Sequence, residues 1–323
     1  MAEYRDQHFL PRLLIRRFAS RRAGDQHYVW LFRRNAQPVE TNVRGVGGSR
    51  DFYVSEDRAS FEEGFSRLES RFSTLLTRLS GEGAKTLLAN DRTECAKLVS
   101  HLVARSRDIR AGSAEAFESL NREAFRRAQT APELPGIMAE KLRSLGLPSE
   151  TPDVEQALAT VPVLLAMLGG EDAILGQFNF RSLAREAQAE VLRREPSPAV
   201  RARALAKESW RVAKFDDGCL VLGEVGAVAY EEGNWRPASL FTPASGGILV
   251  LPIDPMTALL AGEVQLAETP TAQAINAASA RLSRDFFVSS QNREEGRTLQ
   301  LELGRDNNFW MEHVLREAGL TEK

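Results

Sequence analysis

Long hydrophobic runs are missing from this 323-residue chain. The longest, Val161 to Leu168, contains Pro162 and falls far short of the ~20 residues a membrane-spanning helix needs, so no membrane contact is expected. Cysteine is nearly missing as well. Cys95 and Cys219 stand far apart in the sequence, which supports neither a disulfide framework nor a zinc ribbon and fits a reducing compartment. Met1 to Asp6 is polar and charged, unlike a secretory leader. A cytoplasmic location is the expectation.

An excess of one charge is also lacking. The 42 lysines and arginines against 44 aspartates and glutamates leave a formal net charge of -2. This excludes global attraction to nucleic acid or anionic lipid and leaves only local patches. Lysine is scarce beside arginine, confined to Lys85, Lys97, Lys141, Lys207, Lys214 and Lys323. Arginine's flat fork suits phosphate and carboxylate, but a genome rich in arginine codons explains the bias better. Only local clustering therefore counts.

Histidine occurs only at His8, His27, His101 and His313, with no HxH, HExxH or cysteine-linked spacing, so no metal is indicated. No Gly-x-Ser-x-Gly elbow occurs, which removes the commonest serine hydrolase signature. Gly45-Val46-Gly47-Gly48-Ser49 lacks the Gly-Lys-Ser/Thr ending of a phosphate loop and runs into strand-like Asp51 to Val54. No cofactor class is indicated.

What is present is concentrated first in Gln7 to Ala19. Leu10 precedes a proline and should be extended, and Pro11 is placed to begin a helix. Leu14 and Phe18 then share one face, and Arg12 and Arg16 another. His8, just upstream, titrates near neutrality. Together they form a candidate acid or base beside two anion ligands.

His27 to Arg33 reads as a strand, with Tyr28, Trp30 and Phe32 on one face and Val29 and Leu31 on the other, covered on both sides. Val39 to Val43 and Asp51 to Val54 complete a small antiparallel meander. From Ser60 to Gly81, Phe61, Phe65, Leu68, Phe72, Leu75, Leu76 and Leu79 make one helical stripe with Glu69 at its margin. A second helix spans Asp91 to Ile109, from which Arg107 and Arg110 project. Glu69 with these arginines is either an interhelical ion pair or an oriented anion site.

Helices continue over 115–129, 137–145, 154–168, 173–194 and 198–209. Character changes at Trp210. Residues 210–215 and 219–222 read as a hairpin about Asp216-Asp217-Gly218. Strands at 227–230, 247–251 and 286–289 accompany helices at 270–282 and 307–318. The expected class is α+β, mostly α: a small N-terminal antiparallel meander, a helical middle and a mixed α/β C-terminal third. Its regions are 1–209 and 210–323, packed as one integrated domain.

In this order the motifs resemble the bacterial domain of unknown function 4238 family. Gln7-His8-Phe9-Leu10-Pro11-Arg12 through Phe18-Ala19 is similar to its opening His-aromatic-x-Pro…Leu-x-x-Phe signature. Tyr28-Val29-Trp30, Phe52-Tyr53, Phe65 to Phe72 with Glu69, and Ala104 to Arg110 are similar to the blocks that follow. Leu251 to Pro255 and Ile275-Asn276 to Ser289 resemble its closing blocks. Where that family carries an acidic Ser-Asp-x-Pro type segment, this chain has Gly223-Glu224-Val225-Gly226, with Glu224 as the remaining carboxylate.

The resemblance implies an architecture and a residue set: His8 and Glu69 as candidate catalytic groups, and Arg12, Arg16, Arg107, Arg110, Glu224 and Asn276 as candidate ligand contacts. The leading expectation is a non-catalytic sensor or interaction protein with an Arg/His-lined polar site. The alternative is an enzyme acting on a phosphate-bearing ligand, with His8 as acid or base. The partner is left open, the candidate being a phosphate-bearing small molecule or nucleic acid met through a local arginine patch.

Overall fold

The computed structural model describes residues 6–50, 52, 58–81, 87–130, 176, 179–194, 198–215, 220–241, 246–262 and 269–306. The chain is α+β, with eight helices and three antiparallel sheets among these residues. It divides into two compact units, Met1–Arg110 with Arg185–Trp310, and Ala111–Ala184 with Met311–Lys323.

The elements run β1 (Asp6–His8), α1 (Arg12–Ile15), β2 (Arg21–Ala23), β3 (Gln26–Arg33), β4 (Val39–Asn42) and β5 (Gly48–Arg50). Then come α2 (Arg58–Gly81), α3 (Ala89–Arg105), α4 (Arg107–Thr130), α5 (Phe180–Arg194) and α6 (Ala199–Leu205). The last third holds β6 (Trp210–Lys214), β7 (Leu222–Gly223), β8 (Val228–Glu231), β9 (Asn234–Pro237), β10 (Ile248–Asp254) and β11 (Thr257–Gly262). It closes with α7 (Ala272–Leu282), β12 (Phe286–Ser289) and α8 (Glu294–Leu301).

In the first unit, β1 and β5 form a two-stranded ribbon with His8 paired to Gly48. One five-stranded sheet runs β6-β11-β10-β8-β9, and the other runs β2-β3-β12-β7 with β4 also on β3. β3 is covered on both faces, as its two-sided apolar pattern predicts. Val29 and Leu31 enter the main core, while Phe32 stacks on Phe287 at 4.8 Å in a second cluster. Because β12 lies beside β3, the N-terminal meander is one half of a sheet completed from the C-terminal third.

The helical stripe of α2 buries Phe65, Phe72, Leu75, Leu76 and Leu79 in the main core. Each such side chain contributes about 1.5–3 kcal/mol on burial. α1 is a single turn capped by Pro11 and continued by a 3-10 turn over Arg16–Phe18, with Leu14, Ile15 and Phe18 fully buried.

Two sequence expectations are corrected. The hairpin of 210–215 with 219–222 does not form: β6 pairs with β11, and β7 pairs with β12 in the other sheet. An Asp-Gly pair marks a local turn, whereas pairing is decided by the long buried β10–β11 hairpin beside it. The helix expected over 91–109 stops at Arg105. Ser106 is extended, and its Oγ accepts from Ile109 N at 3.1 Å, which caps a new helix. Gln188 donates to the Ala104 and Ser106 carbonyls at 2.8 and 3.0 Å, satisfying groups the break leaves open.

The second unit is described through residues 111–130, 176 and 179–184. There Asn179 caps its helix by accepting from Ser182 N at 3.0 Å, and Arg122 pairs with Glu118 at 3.0 Å. The helices expected at 137–145, 154–168 and 307–318, the strand at 51–54 apart from Phe52, and the turn at 216–218 lie outside the described residues. Among the described residues no helix is long and apolar enough to cross a membrane.

Candidate functional site

His8 owes its position to the glycine segment that precedes the second helix. Gly47 adopts a φ of +69° and its carbonyl accepts from Phe9 N at 2.9 Å and Leu10 N at 3.2 Å. Gly48, paired with His8, leaves room for the ring: a Cβ there would meet His8 Cε1 and Nε2 at 3.2 Å. Gly45-Val46-Gly47-Gly48-Ser49 is thus a cradle for the histidine strand.

His8, Arg12, Arg16 and Glu69 line one cavity of about 570 Å³, together with Leu13, Phe65, Ser66, Ser70, Ser73 and Arg105. Among the described residues the wall is polar, with three arginines and one glutamate. Ser66, Ser70 and Ser73 follow Glu69's face of α2 at helical spacing. Ser70 Oγ donates to the Ser66 carbonyl at 2.9 Å, so its proton is engaged by the helix.

Arg105 is the residue that sequence reasoning missed, and it holds the site together. It is buried. One terminal nitrogen donates to Glu69 Oε1 at 2.7 Å and approaches His101 Nε2 at 2.8 Å; the other donates to the His8 carbonyl. Its guanidinium lies 4.3 Å over the Phe65 ring. Arginine carries only donors, so His101 meets it with an unprotonated Nε2 and keeps its proton on Nδ1. His101 is fully buried between Phe65 and Phe72, with ring centroids 5.1 and 6.0 Å away. The signal for Arg105 was its i, i+4 spacing from His101 on a helix facing Glu69.

At the mouth of the cavity Arg12 Nε donates to His8 Nε2 at 3.0 Å. The same ring nitrogen lies 3.3 Å from the Arg44 carbonyl. Arg16 lies one turn beyond Arg12 and is exposed.

Arg107 does not line this cavity. It donates to Glu224 Oε1 at 2.8 Å and Asp285 Oδ2 at 2.6 Å, while Glu224 Oε2 accepts from Asp285 N at 2.8 Å. Arg284 donates to Asp108 at 3.1 Å beside it. Burial pushes the Glu224 carboxyl up to about 7, against the opposing pull of Arg107 and the Asp285 N–H. Burial alone would lower the Arg107 pKa; Glu224 and Asp285 outweigh it and raise it. Asp108 is also raised by burial, partly offset by Arg284.

The remaining two candidates sit elsewhere. Arg110 donates to Gln188 at 2.9 Å and to the Phe52 carbonyl at 2.7 Å, its guanidinium 3.5 Å over the Phe52 ring. Asn276 accepts from Val221 N at 2.9 Å and lines a second cavity of about 790 Å³ with Lys214, Thr271 and Arg293. Among the described residues no cluster of three or more His, Cys, Asp or Glu is placed to hold a metal ion.

Residues 6–156 match the model of a family described as Protein of unknown function (DUF4238). The C-terminal resemblances at 251–255 and 275–289 lie beyond the matched residues. No curated protein and no solved structure matches the chain.

Proposed function

Residues 6–156 belong to the DUF4238 family, and on that footing we propose that this chain is a non-catalytic sensor or interaction protein for a phosphate-bearing ligand. The observation that carries this reading is the gathering of Arg12, Arg16, Arg105 and His8 on one polar cavity of about 570 Å³. Phosphate oxygens are best met by guanidinium forks supported by hydroxyl donors. Arg12 and Arg16 supply the forks, Ser66 and Ser73 the hydroxyls, and Arg105 keeps the wall in place. The ligand is a small phosphate-bearing molecule or the end of a nucleic acid.

The choice of binding over catalysis rests on the serines. Ser70 is bonded back to its own helix through the Ser66 carbonyl, which engages its hydroxyl proton away from the role of an activated nucleophile. The enzyme alternative has one observation in its favour, that His8 lines the same cavity.

Calorimetric titration with inorganic phosphate, nucleoside monophosphates and a short oligonucleotide tests the proposal. Binding of at least one probe is expected, with loss in an Arg12→Ala, Arg16→Ala double variant and no product after prolonged incubation. Unchanged binding in the folded double variant overturns the site. Turnover that disappears in His8→Ala transfers the reading to the enzyme.

A further inference from the structure

We infer that the second cavity, separate from the arginine-lined one, binds a nucleotide and reads it by its base. The cavity measures about 790 Å³, inside the range of about 300–1,000 Å³ that small-molecule sites occupy. Its wall comes from the start of α7, the end of β12, the start of α8 and the residues around β6 and β7.

Three carboxamides line it. Gln273 stands in the first turn of α7, Asn276 one turn on, and Gln291 between β12 and α8. Asn276 is half-buried, and its Oδ1 accepts from Val221 N at 2.9 Å. Gln273 and Gln291 are exposed, so a ligand can reach their amides. The backbone carrying both is set. Thr271 Oγ1 accepts from Ala274 N at 3.2 Å and fixes the turn of Gln273, while Ser289 Oγ accepts from Gln291 N at 3.2 Å.

A carboxamide places a donor beside an acceptor, the pattern that the edge of a base shows in return. Phe215 and Leu299 add apolar surface to the same cavity, each half-buried against a hydrophobic cluster that holds it from behind. The flat face of a purine or pyrimidine suits such a surface. Glu295, exposed at the start of α8, accepts from the paired hydroxyls of a ribose. Arg293, two residues earlier and also exposed, offers a guanidinium fork to the phosphate. Lys214 is less suited, because two of its three protons already go to Thr257 Oγ1 at 2.9 Å and to the Ser80 carbonyl. Other ligand classes use less of this wall. A lipid has no partner for three carboxamides, and a bare anion needs none of the apolar surface. A peptide main chain engages carboxamides too, and is therefore one arm of the test.

Nucleosides carry no phosphate, so they read this cavity apart from the arginine-lined one. Adenosine, guanosine, cytidine and uridine are titrated calorimetrically into the full chain, with tri-alanine as the peptide arm. At least one nucleoside is expected to bind, and Gln273→Ala with Gln291→Ala should weaken it roughly tenfold or more. The Arg12→Ala, Arg16→Ala variant should bind that nucleoside as the parent does. In the same variant its 5′-monophosphate should bind roughly tenfold tighter than the nucleoside, a gain that Arg293→Ala removes. Both glutamines are exposed, so their paired variant should keep the parent's denaturation midpoint. Phe215→Leu gives a second reading, weakening the nucleoside through the lost ring face with the amides in place. An absence of nucleoside binding, nucleoside affinity unchanged in the folded glutamine variant, or binding of tri-alanine in place of every nucleoside overturns the assignment. Nucleoside binding that disappears with Arg12 and Arg16 belongs to the first cavity and overturns it equally. Inorganic phosphate, compared between the parent and the Arg12→Ala, Arg16→Ala variant, reads the first cavity whichever result is found.

Discussion

Arg105 and Arg107 flank Ser106 and enter two polar clusters of opposite character. The cavity reached by Arg105 holds three arginines and one glutamate in its wall. The cluster entered by Arg107 holds two arginines, Arg107 and Arg284, against three carboxylates, Asp108, Glu224 and Asp285. The first gathers its arginines on the wall of a cavity. The second spends its positive charge internally, tying the start of α4 to the residues before β12. Arginine content alone distinguishes nothing; the local balance of partners separates a ligand site from a structural tie.

The sharpest way to break this comparison is to remove each arginine in turn. Arg105→Ala strands Glu69, the His8 carbonyl and buried His101, and should cost about 3–5 kcal/mol in urea denaturation, as breaking a buried ion pair does. Arg107 is 39% exposed, so water reaches part of what it abandons, and Arg107→Ala should cost less, about 1–3 kcal/mol. Arg107→Ala should also leave phosphate affinity as in the parent. An equal loss of affinity in that variant would merge the two clusters into one site.

How far the sequence reveals this difference depends on the one residue between the two arginines. Periodicity makes the α2 stripe and the two-sided β3 strand legible, because burial imposes its period on the sequence. Those elements carry Glu69 and support the strand of His8. The cap at Ser106 is not legible the same way. Val99, Val103 and Ile109 continue an apolar helical pattern across it, so Arg107 and Arg110 read as projecting from one helix. The restart at Ser106 turns them toward Glu224 and Phe52 and gives Arg105 to Glu69. Long-range pairings are hidden for a related reason. β6 finds β11 more than 40 residues away, whereas Asp-Gly signals only what lies within a few residues.

The closed cluster should also respond to pH. Glu224 titrates at about 7 in the folded chain instead of its usual 4.5. Between those values the folded state holds a proton that the unfolded state has released. The stabilising contribution is therefore complete below about 4.5 and lost as pH rises through about 7. Denaturation midpoints measured across this window should fall with rising pH in the parent and fall less in Glu224→Gln, which keeps an acceptor for Arg107 without the titration. Parallel profiles would mean that Glu224 is ionised throughout and that the cluster is an ordinary ion pair.

The smallest change in stability and the most informative change in affinity should come from neighbouring positions. Arg17 is half-buried and donates to the Ile253 carbonyl at 2.8 Å and the Leu76 carbonyl at 3.1 Å, so it ties the 3-10 turn after α1 to β10 and α2. Arg16, one residue earlier, is exposed at the cavity wall. Arg16→Ala should change stability by no more than about 0.5 kcal/mol, yet weaken phosphate binding roughly tenfold, the loss of one hydrogen bond to a charged group. Arg17→Ala should do the reverse, lowering the denaturation midpoint while leaving affinity in place. Two arginines side by side, one changing only affinity and the other only stability, would separate ligand site from structural tie within a single turn of chain. If Arg16→Ala leaves affinity unchanged, the exposed arginine at the cavity wall does not act on the ligand.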